Sequence, residues 1–225
     1  MHKIIVFIPA RYASTRFPGK PLVEIKGKPL IQWVWKRTWD SYTSTYILTD
    51  DNRINDTALK FGASSIITSS ECKNGTERCA DAAKRMELIN EDIILNVQGD
   101  NFWYPIEALH QIALDVSFYD CPASVYYDLK DRVTNETEVK VSMNKQNFAT
   151  EFSREPISTF KHLGLYGYKV KHLQAFMEKS YDGDIEVVRF INIGIQVKMS
   201  EVYEDAIEIN VPEDLERAMN ANVSW

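Results

Sequence analysis

Through the first half of the chain, short apolar runs alternate with segments whose apolar residues recur at helical spacing. Ile4-Ile5-Val6-Phe7-Ile8 is uncharged and rich in β-branched residues, which predicts a strand buried on both faces. Pro29 to Trp39 has a helical stripe and a proline permitted in a first turn, so a helix is predicted there, its tryptophans packing on a sheet. Strand Ser44–Leu48, helix to Phe61, strand Ser64–Thr68, helix Gly75–Met86 and strand Asp92–Val97 follow. Such close alternation predicts right-handed crossovers and a doubly wound, mostly parallel α/β sheet. From Ala123 to Tyr168 the rhythm changes. Short strands at Ala123–Asp128, Lys140–Met143 and His162–Tyr168 predict an extension of the sheet and a smaller β-rich substrate lobe, spanning about residues 120–200. Asp184–Asn192 has helical spacing and Ile195–Met199 alternates like a strand. Pro212–Asn220 reads as a last helix whose acidic start suits its dipole. With no linker or repeat, residues 1–225 read as a single domain.

Composition narrows the function classes. A net charge of −6 argues against non-specific binding to nucleic acid or an anionic membrane. No run reaches transmembrane length, and the first strand is too short and wrongly flanked for a signal peptide, which predicts a cytoplasmic protein. Cys72, Cys79 and Cys121 form no C-x-x-C pattern and read as free thiols rather than zinc ligands.

Against this acidic background the loop Arg11-Tyr12-Ala13-Ser14-Thr15-Arg16-Phe17-Pro18-Gly19-Lys20-Pro21-Leu22 stands out. It follows the first strand, where open α/β sheets bind ligands. Arg11, Arg16 and Lys20 supply charge for a triphosphate, Ser14 and Thr15 supply hydroxyl donors, and Gly19 admits a close backbone. Neither G-x-x-x-x-G-K-[ST] nor G-x-G-x-x-G is present. Gln98-Gly99-Asp100 closes another buried strand, so Asp100 is either a turn residue or an oxygen ligand for Mg²⁺. Thr76 stands where a helix N-cap is expected. Phe102-Trp103-Tyr104 is either local packing or a substrate-facing cluster. Arg154 suits bidentate capture of a carboxylate, with His162 beside it in the sequence pattern.

The Pro9-to-Leu22 stretch, with Gly75-Thr76-Glu77-Arg78, Asn96-Val97-Gln98-Gly99-Asp100, Phe152-Ser153-Arg154, His162-to-Tyr168 and Pro212-Glu213-Asp214-Leu215-Glu216, resembles the 3-deoxy-manno-octulosonate cytidylyltransferases (CMP-Kdo synthetases). The matches run in family order over nearly the whole chain. The resemblance implies a nucleotide-diphospho-sugar transferase-like variant of the Rossmann fold and a homodimer. It also implies Mg²⁺-dependent transfer of CMP from CTP to an acidic 3-deoxy sugar, for lipopolysaccharide or capsule synthesis. It puts Arg11, Ser14, Thr15, Arg16, Lys20, Gly75, Thr76 and Gln98 on CTP, and Arg154, His162, Tyr166, Glu186 and Arg189 on the sugar. Asp100 and Asn210 fall at the metal, and Arg11, Lys20 and Asp100 carry catalysis.

The chain also departs from the resembled pattern. Asn101 replaces a glutamate, Val187 a glutamine, and Asn210 the second metal-binding aspartate, with Asp205 and Glu208 the nearest Asp and Glu before it in sequence. The connection from Pro156 to Lys161 is short. These changes leave open an altered anionic acceptor, such as a modified 3-deoxy acid or a phosphonate, or a weakly catalytic CTP-binding relative.

Overall fold

The computed structural model describes residues 2–13, 17–130, 132 and 137–223. In chain order the elements are β1 (Ile4–Pro9), β2 (Glu24–Ile25), β3 (Lys28–Pro29), α1 (Leu30–Trp39), β4 (Thr45–Thr49), α2 (Asn52–Lys60), β5 (Ser64–Ile67), α3 (Gly75–Arg85), β6 (Ile93–Val97), β7 (Asn101–Trp103) and α4 (Glu107–Tyr119). They continue with β8 (Ala123–Asp128), β9 (Lys140–Met143), β10 (Ala149–Ser153), β11 (Phe160–Lys169), α5 (Val170–Met177), α6 (Val188–Asn192), β12 (Lys198–Val202), β13 (Ile207–Glu208) and α7 (Asp214–Asn220).

The period-2 pattern of β1 builds two cores at once. Val6 and Ile8 join the layer of α1, α2 and α4, while Ile5 and Phe7 join the opposite layer of α3, α5 and α6. A strand covered on both faces has no polar side, which is why its sequence is a continuous apolar run. β6, β1, β4 and β5 lie parallel in that spatial order. β11 adds antiparallel to β6 and carries β8 and β9, and β12 pairs parallel with β8. The strands between residues 123 and 202 thus continue the central sheet.

The tryptophans of α1 do pack. Trp33 Nε1 donates to the Ile25 carbonyl at 2.7 Å, and the rings of Trp35 and Trp39 stack with centroids 5.4 Å apart. Phe102 and Tyr104 are buried on that layer and Arg37 covers the Trp103 ring, so the aromatic cluster is packing.

Several local expectations are corrected. The N-cap of α3 is Asn74, whose side chain accepts from the Glu77 amide at 2.9 Å; Thr76 lies inside the first turn. Of Asp184–Asn192, only Val188–Asn192 is α-helix. The strand expected at Ile195–Met199 is displaced to Lys198–Val202, where it pairs with β8. Helix α4, with its buried stripe of Ala108, Leu109, Ile112, Ala113 and Val116, joins α5 and β10 as elements beyond those the sequence predicts.

α4 crosses β11 at Gly167, where any side chain would collide with Ile112 and stand 3.0 Å from Val116 Cγ2. Gly167→Ala is expected to destabilise the fold by about 1–3 kcal/mol, as overpacked cores do. Urea denaturation measures it, and an unchanged midpoint contradicts this packing.

Candidate active site

The sheet topology decides where a ligand enters. From β1 the chain winds outward through β4 and β5, then returns to place β6 on the other side of β1. Loops leaving β1 and β6 therefore diverge, opening a crevice at the carboxyl edge of the sheet. A cleft of about 540 Å³ lies there, within the range of small-molecule sites. Its two walls are clipped by the Gly99 amide, which donates to the Pro9 carbonyl at 3.1 Å. A Cβ on Gly99 would stand 2.8 Å from that same oxygen, so close approach requires glycine here.

On the β1 side, Arg11 is exposed on the cleft lining. Ser14, Thr15 and Arg16 lie outside the described residues. Gly19 adopts a left-handed conformation with φ 72°, and its amide bonds the Tyr12 carbonyl at 3.0 Å. Its role is therefore the turn that delivers Lys20 into the cleft. Lys20 Nζ donates to Asp100 Oδ2 at 2.6 Å across 80 residues of sequence. Two residues chosen from separate motifs thus meet at one point.

Gln98, Gly75 and Glu186 form a second cluster. Gln98 Nε2 donates to Glu186 Oε1 at 2.8 Å, and the Thr76 amide donates to Oε2 at 3.2 Å. Glu186 thereby uses the free amides at the start of α3, and burial pushes its carboxyl above the usual range. Thr76, expected on the nucleotide, has its side chain buried beneath the cleft, 3.4 Å from the Tyr168 hydroxyl. Arg78 is missing from the expected residues but lines the cleft, where it bonds Thr68 Oγ1 at 2.5 Å. Cys72 also lines it, and burial raises its thiol pKa, which disfavours the reactive thiolate.

Arg154, Tyr166 and His162 line the opposite wall. Arg154 is fixed by Asp184 at 2.9 Å and by the Thr137 carbonyl at 2.5 Å. His162 sits between the rings of Phe152 and Tyr166 and shares a 2.9 Å hydrogen bond with Ser124 Oγ. Burial first, then the neighbouring Lys161 charge, lowers its pKa to about 3. His162 is therefore a neutral ring in the cleft lining.

Two further expectations fail by position. Arg189 points away from the cleft, 3.0 Å from Glu77 Oε1 and over the Phe176 ring. Val187 is 2% exposed within the α3–α5–α6 core, so it meets no acceptor. Asn101 does line the cleft, but its amide donates to the Leu163 carbonyl at 3.4 Å, supporting the bulge of β11.

A family model described as cytidylyltransferase matches residues 5–210. The chain belongs to the cytidylyltransferase family. It is 35% identical to a 3-deoxy-manno-octulosonate cytidylyltransferase of Desulfosudis oleivorans, with 99% of both chains covered. It is 33% identical to an 8-amino-3,8-dideoxy-manno-octulosonate cytidylyltransferase of Shewanella baltica, covering 95% of this chain and 96% of that one. A solved CMP:2-keto-3-deoxy-manno-octonic acid synthetase complexed with CTP superposes with a TM-score of 0.86 at 28% identity, over 96% of this chain and 97% of that one.

Asp100, Glu208 and Asn210 all line the cytidylyltransferase cleft, with Asn210 Nδ2 3.3 Å from Glu208 Oε2. Burial, with the adjacent Asp100 charge adding to it, raises the Glu208 carboxyl to about 7. Among the described residues no three His, Cys, Asp or Glu side chains converge. The donors are two carboxylates and one amide, all hard oxygens, of which Asp100 is ion-paired with Lys20 through one oxygen. That chemistry fits Mg²⁺, which retains waters and takes few protein ligands. Glu208 lines the cleft but lies outside the recognised motifs. The available signal was its position two residues before Asn210, a spacing that puts both side chains on one side of an extended chain.

Arg189→Met is expected to cost about 3–5 kcal/mol by leaving Glu77 buried and unpaired. It should leave the acceptor KM of the folded enzyme unchanged, and a raised KM at wild-type stability would return Arg189 to the sugar site. His162 makes a different prediction. Its pKa falls from 6.5 in the unfolded chain to about 3 in the fold, so its stabilising effect is complete above about 6.5 and lost on acidification toward 3. Buried His172, lowered to about 4, acts in the same direction. His162→Gln should flatten the acid loss of stability measured by urea titration over this window, and an equally steep loss contradicts the burial of a neutral imidazole.

Proposed function

We propose that the protein transfers CMP from CTP to a hydroxyl of an acidic 3-deoxy sugar, 3-deoxy-manno-octulosonate or a close relative, and releases pyrophosphate. The observation that carries this reading is the meeting of Lys20 and Asp100 at the β1–β6 crevice, with Arg11 on the same lining. Cations stand there beside the Asp100 carboxylate, and Arg154 lines the same cleft. The relatives described above act, by name, on 3-deoxy-manno-octulosonate or its 8-amino form.

In the reaction, the acceptor oxygen forms a bond to the α-phosphorus while the bond to the β-bridging oxygen breaks. The hydroxyl proton passes to solvent. Catalysis is then largely positioning and charge stabilisation. Arg11 and Lys20 neutralise the triphosphate, together with Arg16, Ser14 and Thr15 of the same loop. Gly75 and Gln98 shape the nucleotide side, and Arg154, Tyr166 and Glu186 orient the sugar. Asp100 and Asn210 would hold Mg²⁺, which supplies Lewis-acid stabilisation of phosphate charge. The reading includes a homodimer and a cytoplasmic location; no described helix is long and apolar enough to cross a membrane.

Pyrophosphate release on mixing with CTP, Mg²⁺ and a panel of 3-deoxy acids, their 8-amino forms and phosphonates tests the reaction and ranks acceptors by kcat/KM. CTP binding without turnover on any acceptor would instead support a binding relative. Lys20→Ala is expected to weaken CTP binding by about 1.5–3 kcal/mol, one to two decades in affinity. Calorimetric titration reads this, and wild-type affinity in the folded variant would remove Lys20 from the phosphate site.

A further inference from the structure

We propose that Glu208 supplies the second carboxylate of the divalent-cation site, completing with Asp100 and Asn210 a set of oxygen donors that the fold itself assembles. The proposal rests on the cation of the cytidylyltransferase reading and assigns it a ligand at a new position.

Backbone pairing places the three residues. β13 runs antiparallel to β7 with Glu208 opposite Asn101, and the Ile209 amide donates to the Asp100 carbonyl at 2.9 Å. Ile209 is fully buried. Side chains alternate along an extended chain, so Glu208 and Asn210 both face the other way, into the cleft that Asp100 lines. Asn210 Nδ2 donates to Glu208 Oε2 at 3.3 Å, a bond that orients the carboxylate and leaves the amide oxygen for an ion.

The alternative carboxylate is already engaged. Asp205 accepts from Lys161 Nζ at 2.8 Å through Oδ1 and from Arg132 at 2.8 Å through Oδ2. Among the described residues Glu208 accepts from Asn210 Nδ2 and, unlike Asp205, from no cationic side chain, and it lines the cleft with Asp100. Relocating a carboxylate by two residues keeps it on the same side of an extended chain while moving its Cα by roughly 6–7 Å. The extra methylene of glutamate recovers part of that reach. An asparagine at 210 and a glutamate at 208 thus preserve the charge count of a two-carboxylate site.

The test measures Mn²⁺ uptake from the loss of the free-ion paramagnetic resonance signal, using the full chain without nucleotide and therefore without turnover. Glu208→Gln and Asp100→Asn are each expected to weaken binding at least ~tenfold, with Glu208→Asp intermediate. The double variant Glu208→Gln, Asn210→Asp should recover to within about threefold of wild type, because it restores a carboxylate on the same side of the extended chain. Thermal melting verifies that each variant is folded. Wild-type Mn²⁺ affinity in Glu208→Gln, with loss in Asp100→Asn, overturns Glu208 as a ligand while the cation reading stands. A loss in Glu208→Gln that the double variant does not recover also overturns it. If neither single variant changes uptake, or the wild type takes up no Mn²⁺ at millimolar concentration, the cation reading falls as well.

Discussion

The arrangement of the site depends on one constraint, the parallel pairing of β1 with β6 at the point where the winding of the sheet reverses. Ile4 to Phe7 lie in register with Ile93 to Asn96, and the Gly99 amide ties the loop beyond β6 back to Pro9. This registry brings Lys20 and Asp100 into contact across 80 residues. Nothing in either loop could position the other. The closeness of the two chains at Gly99 is set by backbone geometry, and the ion pair above it forms because the strands beneath are fixed.

Charge is distributed unevenly around that junction. On β11, Lys161 is 3% exposed and pairs with Asp205, with Glu138 also close. Arg189 and Glu77 form a second buried pair between α3 and α6. Such pairs cost desolvation and are kept only where both partners are present, so they fix geometry more than they add stability. They hold the elements carrying Glu208 and Glu186. Those carboxylates are left with raised pKa values because their immediate surroundings are desolvated. The cleft thus carries oxygen donors and cations on one lining, a mixture suited to a polyphosphate.

The departures from the resembled motifs take on different meanings in three dimensions. Val187 and Arg189 look like sugar-facing positions when a helix is assumed from Asp184 onward. The chain instead turns through Glu186 and begins its helix at Val188, which sends Val187 and Arg189 into the core and leaves Glu186 at the cleft. Asn210 stands where the resembled motif has a carboxylate, and Glu208 of β13 lines the same cleft. Asn101 looks like a lost carboxylate, yet its amide holds the bulge at Leu163. A linear motif records identity and spacing, whereas the face a residue presents depends on where helix or strand begins.

By itself the sequence determined the buried strands, the helices that alternate with them, the basic loop after β1 and the acidic turn after β6. Those features follow from local rules, namely burial on both faces, helical spacing, and charge set against an acidic background. The tertiary structure alone decided which of the named residues share one cleft. Long-range pairing placed Lys20 on Asp100, buried His162 as a neutral ring, withdrew Arg189 onto Glu77 and brought Glu208 to the cleft lining. Each outcome turns on strand register and desolvation, which are properties of contacts between distant segments and are not encoded at any single position in the chain.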